Sequence, residues 1–252
     1  MKKLILTIII LLLTIFSAKA FAGVISNHQS LDQVIDSAKV KTRDILLESK
    51  EAPSAPKIPD SIQLDVPLLN QMDQPKLYNG CEVTSLAMML NFHGVEVTKN
   101  ELANNIKTVP LTYNNGQKGN PHTGFVGDMV NGPGLGVYNE PVLELAQKYV
   151  GDKAVNLTNR SFSEVLEKVG QGLPVWIITT TTFAPVSAFE TWDTPQGQID
   201  ITFSEHSVVI TGYDANYIYI NDPYGTKNKK LDRENFTKAW EQMGKQAIVI
   251  EK

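Results

Sequence analysis

The sequence contains a single cysteine, Cys81, and four histidines, so any thiol chemistry must run through one sulfur. Cys81 follows Asn79-Gly80 and opens an apolar segment that runs to His93 and stops at Gly94, a pattern that predicts a helix with Cys81 in its first turn. Val83, Leu86 and Leu90 lie on one face and Ala87, Met88 and Met89 on the other, so the helix should be buried in the core. Unpaired amides and the helix dipole favour an anion at such a start, which should lower the thiol pKa and enrich the thiolate. The rival reading of a lone cysteine is a small buried apolar residue, which has no reason to prefer a helix start.

A thiolate nucleophile needs a base and a group that orients the base. His28 lies far upstream, in the N-terminal segment, and His122 sits in a Gly/Asn-rich stretch. His93 is at the other end of the predicted helix, about 18 Å along its axis from Cys81. His206 opens the segment His206-Ser-Val-Val-Ile-Thr-Gly-Tyr213, which returns as Tyr217-Ile-Tyr-Ile-Asn-Asp222-Pro223. Side chains alternate along a strand, so an odd hairpin loop such as Asp214-Ala-Asn216 puts Asp222 on the same side as His206. Read alone, Asn221-Asp222-Pro223-Tyr224-Gly225 is simply a good turn. Acyl transfer also requires donors aimed at a developing oxyanion. The Cys81 amide is one, and Gln71 or Gln74 could supply the second.

The elements that must position these residues alternate from residue 61 onward. A short strand is expected over Leu64–Asn70 and a polar loop over Gln71–Gly80. After the Cys81 helix, Thr98-Lys-Asn-Glu101 and Ser161-Phe-Ser-Glu164 are capping boxes that each open a helix, with a further helix over Glu140–Tyr149 between them. Asn114–Gly136 is rich in Gly, Asn and Pro and reads as a long loop; together with Trp192 in the polar stretch Glu190–Gln198 it is a candidate border for a substrate cleft. Strands follow at Pro174–Thr182, Ser207–Tyr213 and Tyr217–Ile220, then a helix near Asn235–Met243 and a last strand, Ala247–Ile250. Helices before an antiparallel sheet make an α+β chain.

The N-terminus reads differently. Lys2 and Lys3 precede an apolar run from Leu4 to Phe16, then Ala18-Lys-Ala20 and Ala20-Phe-Ala22, which together make a secretory signal over residues 1–22. The run falls short of the roughly 20 residues that span a bilayer, so membrane association is expected only through the signal. Residues 23–60 hold an amphipathic stretch from Ser30 to Glu48, either an ordinary helix or a pro-segment, and a proline-rich linker, leaving residues 61–252 as the domain. Residues 1–20 carry three lysines and no acid, so removing them takes the net charge from −4 to −7. That balance excludes nucleic acid as a partner. No His/Cys/carboxylate spacing suggests a metal, and neither metal nor cofactor is expected. A secreted monomer with one cysteine cannot staple itself and must rely on its core.

Three blocks carry a family resemblance. Leu64-Asp-Val-Pro-Leu-Leu-Asn-Gln71, Tyr78-Asn-Gly-Cys-Glu-Val-Thr-Ser-Leu-Ala-Met88 and His206-Ser-Val-Val-Ile-Thr-Gly-Tyr213 with Asn221-Asp222-Pro223 resemble the double-glycine peptidase-like family of bacterial cysteine peptidases. The similarity spans about residues 62–250 and implies a papain-like fold, a nucleophile helix packed on a sheet that bears the base and acid. Matched position by position, it implies Cys81 as nucleophile, His206 as base, Asp222 as orienting acid and Gln71 as oxyanion donor, acting on a peptide or protein; the signal over residues 1–22 makes the expected place of action outside the cell or at its surface. Two other readings stay open: a papain-like cell-wall amidase, and a secreted binding module with a silent site.

Overall fold

The computed structural model describes Ile35 and residues 58–252, so the expected signal, the amphipathic stretch and most of the linker lie outside the described residues. One compact unit covers Ile58–Lys252. Its chain order is β1 (Ile62–Gln63), α1 (Cys81–Phe92), α2 (Lys99–Asn105), β2 (Thr108–Val109), β3 (Phe125–Val126), α3 (Asn139–Val150) and β4 (Ala154–Asn156). There follow α4 (Phe162–Gly170), β5 (Val175–Thr180), β6 (Glu190–Thr194), β7 (Gly197–Ile201) and β8 (Glu205–Tyr213). The unit closes with β9 (Tyr217–Asp222), β10 (Thr226–Asp232), α5 (Arg233–Gln242) and β11 (Ala247–Ile250).

The main sheet runs β10-β9-β8-β5-β11-β4, with β1 added on β8. All of its pairings are antiparallel. Each central strand is apolar on both faces because each face is covered. Trp176 and Ile178 of β5 pack with α1, α2 and α3 through Leu86, Leu90, Leu102 and Leu145. Val175 and Ile177 turn the other way, to Val165, Phe236 and Trp240 of α4 and α5. The strand period of two therefore sends one segment into two cores. The result is an α+β molecule with a helical layer on each side of the sheet.

Several expected elements differ. Residues 64–70 leave the sheet after Gln63 instead of forming a strand; Pro67 has no amide to donate, and Leu64 N–H still reaches the Thr211 carbonyl at 2.7 Å. The long loop 114–136 contains β3, paired in parallel with β2. The polar stretch 190–198 is the first half of a hairpin, β6–β7, whose Trp192 is 6% exposed and packs with Val126, Leu135 and Ile201. It is a core residue of that lobe, not a surface loop side chain. Thr98 caps α2 through the Glu101 amide, while the Glu101 carboxylate accepts from Tyr149 instead of closing the box. The Ser161–Glu164 box on α4 is complete.

Candidate active site

Cys81 is the first residue of α1, with Gly80 as its N-cap. A Cβ at Gly80 would press on the Leu77 side chain, so only glycine lets the chain turn this tightly into the helix. The helix packs against β8, and strand alternation on β8 decides what meets the sulfur. Val209 packs against Met88 of α1, and Glu205, two pairs of residues earlier on the same side, comes to Cys81 and Glu82. Val208 and Ile210 face the opposite core with Phe183, whose ring also meets the edge of His206 at 6.0 Å.

His206 and Asp222 are joined as expected: Nε2 lies 3.0 Å from Oδ1 in a buried pair. This leaves Nδ1 as the ring nitrogen available to a nucleophile. The register that joins them arises in an unexpected way. Next to the turn, Tyr213 pairs with Ile218 and Gly212 with Tyr219, an even connection that would put Asp222 on the wrong face. A bulge between Ile210 and Gly212 adds one residue, so Ile210 pairs with Ile220 and Val209 with Asn221, which sets Asp222 diagonal to His206.

Burial pushes the Asp222 carboxyl up, but the hydrogen bond and charge of His206, the Tyr224 amide and Lys229 outweigh it and hold it at about 2. Lys229 Nζ is 3.1 Å from Asp222 Oδ2 and 4.3 Å from the centre of the Phe183 ring. Tyr224 stacks on the His206 ring with centroids 5.1 Å apart. Phe183 adopts a φ of +55°, rare for a bulky residue, in the course of placing its ring beside the histidine. The imidazole is thus held by Tyr224 on one face, by Phe183 in an edge contact and by Asp222 at one nitrogen.

The sulfur has a different neighbour. Cys81 S–H donates to Glu82 Oε2 at 3.3 Å, and Glu82 Oε1 accepts from the Val137 amide at 2.6 Å. Cys81, Glu82 and Glu205 bring a sulfur and two carboxylate oxygens within 4.8 Å of one another. Burial raises the thiol pKa well above its ordinary value, the Glu82 and Glu205 charges raise it further, and the Ser207 amide only partly opposes them. This runs against the expectation of a lowered thiol pKa: desolvation and two adjacent carboxyl groups favour the neutral thiol. Burial, then the Cys81 charge, raise the pKa of Tyr224, whose ring stacks on His206.

Gln71 is buried, 1% exposed, and its Nε2 donates to the carbonyls of Leu77 at 3.2 Å and Tyr78 at 3.0 Å. Both amide hydrogens are therefore engaged by the turn that leads to Cys81, not aimed at an oxyanion, while Gln71 Oε1 is buried without a partner. Gln74 is exposed. The residues that sequence reasoning passed over are Glu82, Glu205, Tyr224, Phe183 and Lys229. Two of them could have been noticed, because Glu82 follows Cys81 and Glu205 precedes His206.

A helix that begins at a cysteine, laid on an antiparallel sheet with a buried His–Asp pair, is the architecture of papain-like cysteine peptidases. The chain belongs to the Peptidase_C39 like family, which matches residues 63–248. It is 62% identical over 189 residues to the uncharacterized protein YvpB of Bacillus subtilis (strain 168), covering 75% of this chain and 76% of that one. It also resembles the crystal structure of a Bacillus anthracis protein assigned to the C39-like peptidases, at 46% identity and a TM-score of 0.73, covering 76% of this chain and 98% of that one.

Proposed function

We propose that the protein is a secreted cysteine peptidase that hydrolyses peptide bonds through Cys81, His206 and Asp222. The observation that carries this reading is the buried His206–Asp222 pair, in a member of a peptidase family whose one thiol opens α1, the helix that packs on the strand carrying His206. Secretion rests on the signal-like residues 1–22.

In this mechanism the Cys81 sulfur turns about its Cα–Cβ bond from Glu82 toward His206 and gives its proton to Nδ1. The thiolate attacks the peptide carbonyl, and the Cys81 amide at the helix start stabilises the oxyanion. His206 returns the proton to the leaving amine, then activates the water that releases the acyl-enzyme. Asp222 keeps the imidazole in one tautomer and stabilises its charged form. Gln71 acts by shaping the 77–80 turn, and reaches the oxyanion only if it gives up one of its two carbonyl contacts.

The test is mass-spectrometric profiling of a peptide library with wild type, Cys81→Ala, His206→Ala and Asp222→Ala. Cys81→Ala should abolish cleavage without unfolding the domain. His206→Ala should reduce it by about 10²–10⁴-fold, and Asp222→Ala by less. Equal activity of wild type and Cys81→Ala on every substrate would reject the enzyme reading.

A further inference from the structure

Two buried carboxyl groups beside a nucleophilic sulfur need a reason, because an isolated buried carboxylate is costly and two adjacent ones more so. Glu82 is fully buried at the start of α1 and Glu205 is buried at the start of β8. The space between them is closed by Gly136, where a Cβ would lie 2.5 Å from both Glu82 Oε1 and Glu205 Oε2. Glu205 Oε1 is buried with no hydrogen-bond partner, so this carboxyl has a place for a proton and no donor to satisfy a full charge.

We infer that Glu82 and Glu205 are a proton-holding pair that positions Cys81. When the pair is ionised, Glu82 accepts the S–H and keeps the sulfur protonated and turned from His206. When the pair is protonated, that acceptor is lost and the sulfur is free to give its proton to the imidazole. The consequence for turnover rests on the peptidase reading; the effect on the thiol does not.

The surroundings agree. Burial raises Glu82 to about 7, although its own amide, Val137 and Cys81 pull it back, and burial together with the Glu82 charge raises Glu205 well above the carboxylate range. On the chain leading into α3, Tyr138 faces the pair, and burial, Glu205 and Glu82 all push its phenol up. From the end of β9 and the turn after it come Asp222, already committed to His206 and Lys229, and Tyr224. β8 itself contributes His206, while β5 offers the uncharged Thr179 and Thr180 opposite His206 and Glu205. The His206 imidazole and the cationic Lys229 are both engaged by Asp222. Glu82→Gln keeps an oxygen for Val137 and turns the other position into a donor to the sulfur.

The test is the rate of iodoacetamide labelling of the full chain between pH 5 and pH 10, followed by intact mass for wild type, Glu82→Gln and Glu205→Gln. Folding is checked by near-ultraviolet circular dichroism. Glu82→Gln should label at least about tenfold faster at pH 7, one unit of thiol pKa, and Glu205→Gln should shift the same way. Wild-type rates in the folded variants would overturn the proposal. So would acceleration of the wild type to the Glu82→Gln rate by a chelator, which would mean that an ion, not a proton, holds the pair. Should neither variant fold, the pH profile of wild-type labelling decides: a second inflection near pH 7, where Glu82 titrates, supports the pair, and a profile that follows the titration of the thiol alone overturns it. Peptide cleavage is read separately. Faster labelling without cleavage leaves this inference standing and removes the peptidase reading, whereas cleavage by a wild type whose labelling the variants do not change removes only this inference.

Discussion

The chemistry of the site is set by which side chain each titratable group touches. His206 has one nitrogen on Asp222 and its ring against Tyr224 and Phe183, so its orientation is over-determined before any substrate arrives. Cys81 donates to Glu82, its neighbour in sequence, and burial, then the Glu82 and Glu205 charges, raise the thiol pKa instead of lowering it. Gly136 matters because both carboxyl groups close on it and its φ is +152°. Gly136→Ala should therefore destabilise the fold by about 1–3 kcal/mol, measured by urea denaturation, because a methyl group would force Glu82 and Glu205 apart. Cys81 and His206 were legible from residue type and position alone. The Glu82–Glu205 contact was not, because 123 positions separate the two in the chain and only packing of α1 on β8 closes that gap.

At the scale of elements, the helix starts were written in the chain. Gly80 and Cys81 open α1 where expected, and the reciprocal bonds of Ser161 and Glu164 open α4. Ser161→Ala should cost about 1 kcal/mol in thermal or denaturant unfolding, since it removes the oxygen that accepts from the Glu164 amide in the first turn of α4. The hairpin that joins His206 to Asp222 was legible in part. Its strands follow from alternating β-branched and aromatic residues, but the register depends on the bulge near Thr211. The mark of that bulge is Gly212, an isolated glycine inside a strand, where a side chain would strike the Ile62 carbonyl of β1. The hairpin β6–β7 escaped notice because Glu190–Asp200 is polar along most of its length, and its buried side carries few apolar residues: Trp192, Ile199 and Ile201.

For the whole molecule, stability should depend on pH in two opposed ways. Asp222 is held at about 2 in the fold, below the ordinary carboxylate value, so its contribution is complete above that ordinary value and is lost as pH falls toward 2. Glu82 is raised to about 7, so the unfolded chain releases its proton first, and the fold loses stability as pH climbs from the ordinary carboxylate value to about 7. Glu205 acts in the same direction. Melting temperatures across pH 3 to pH 9 should fall on both sides of a mildly acidic maximum, and Glu82→Gln should flatten the upper side. By itself the sequence determined the α+β class, the helix that presents the one thiol, and the strand that carries His206. These are local matters of periodicity, capping and residue chemistry, which neighbours in the chain decide. Only the tertiary structure decided the parity that brings Asp222 to His206, the engagement of Gln71 by its own loop, and the pair of carboxyl groups around the sulfur. Those depend on the meeting of distant segments, and a one-residue shift in pairing reverses which side chains meet.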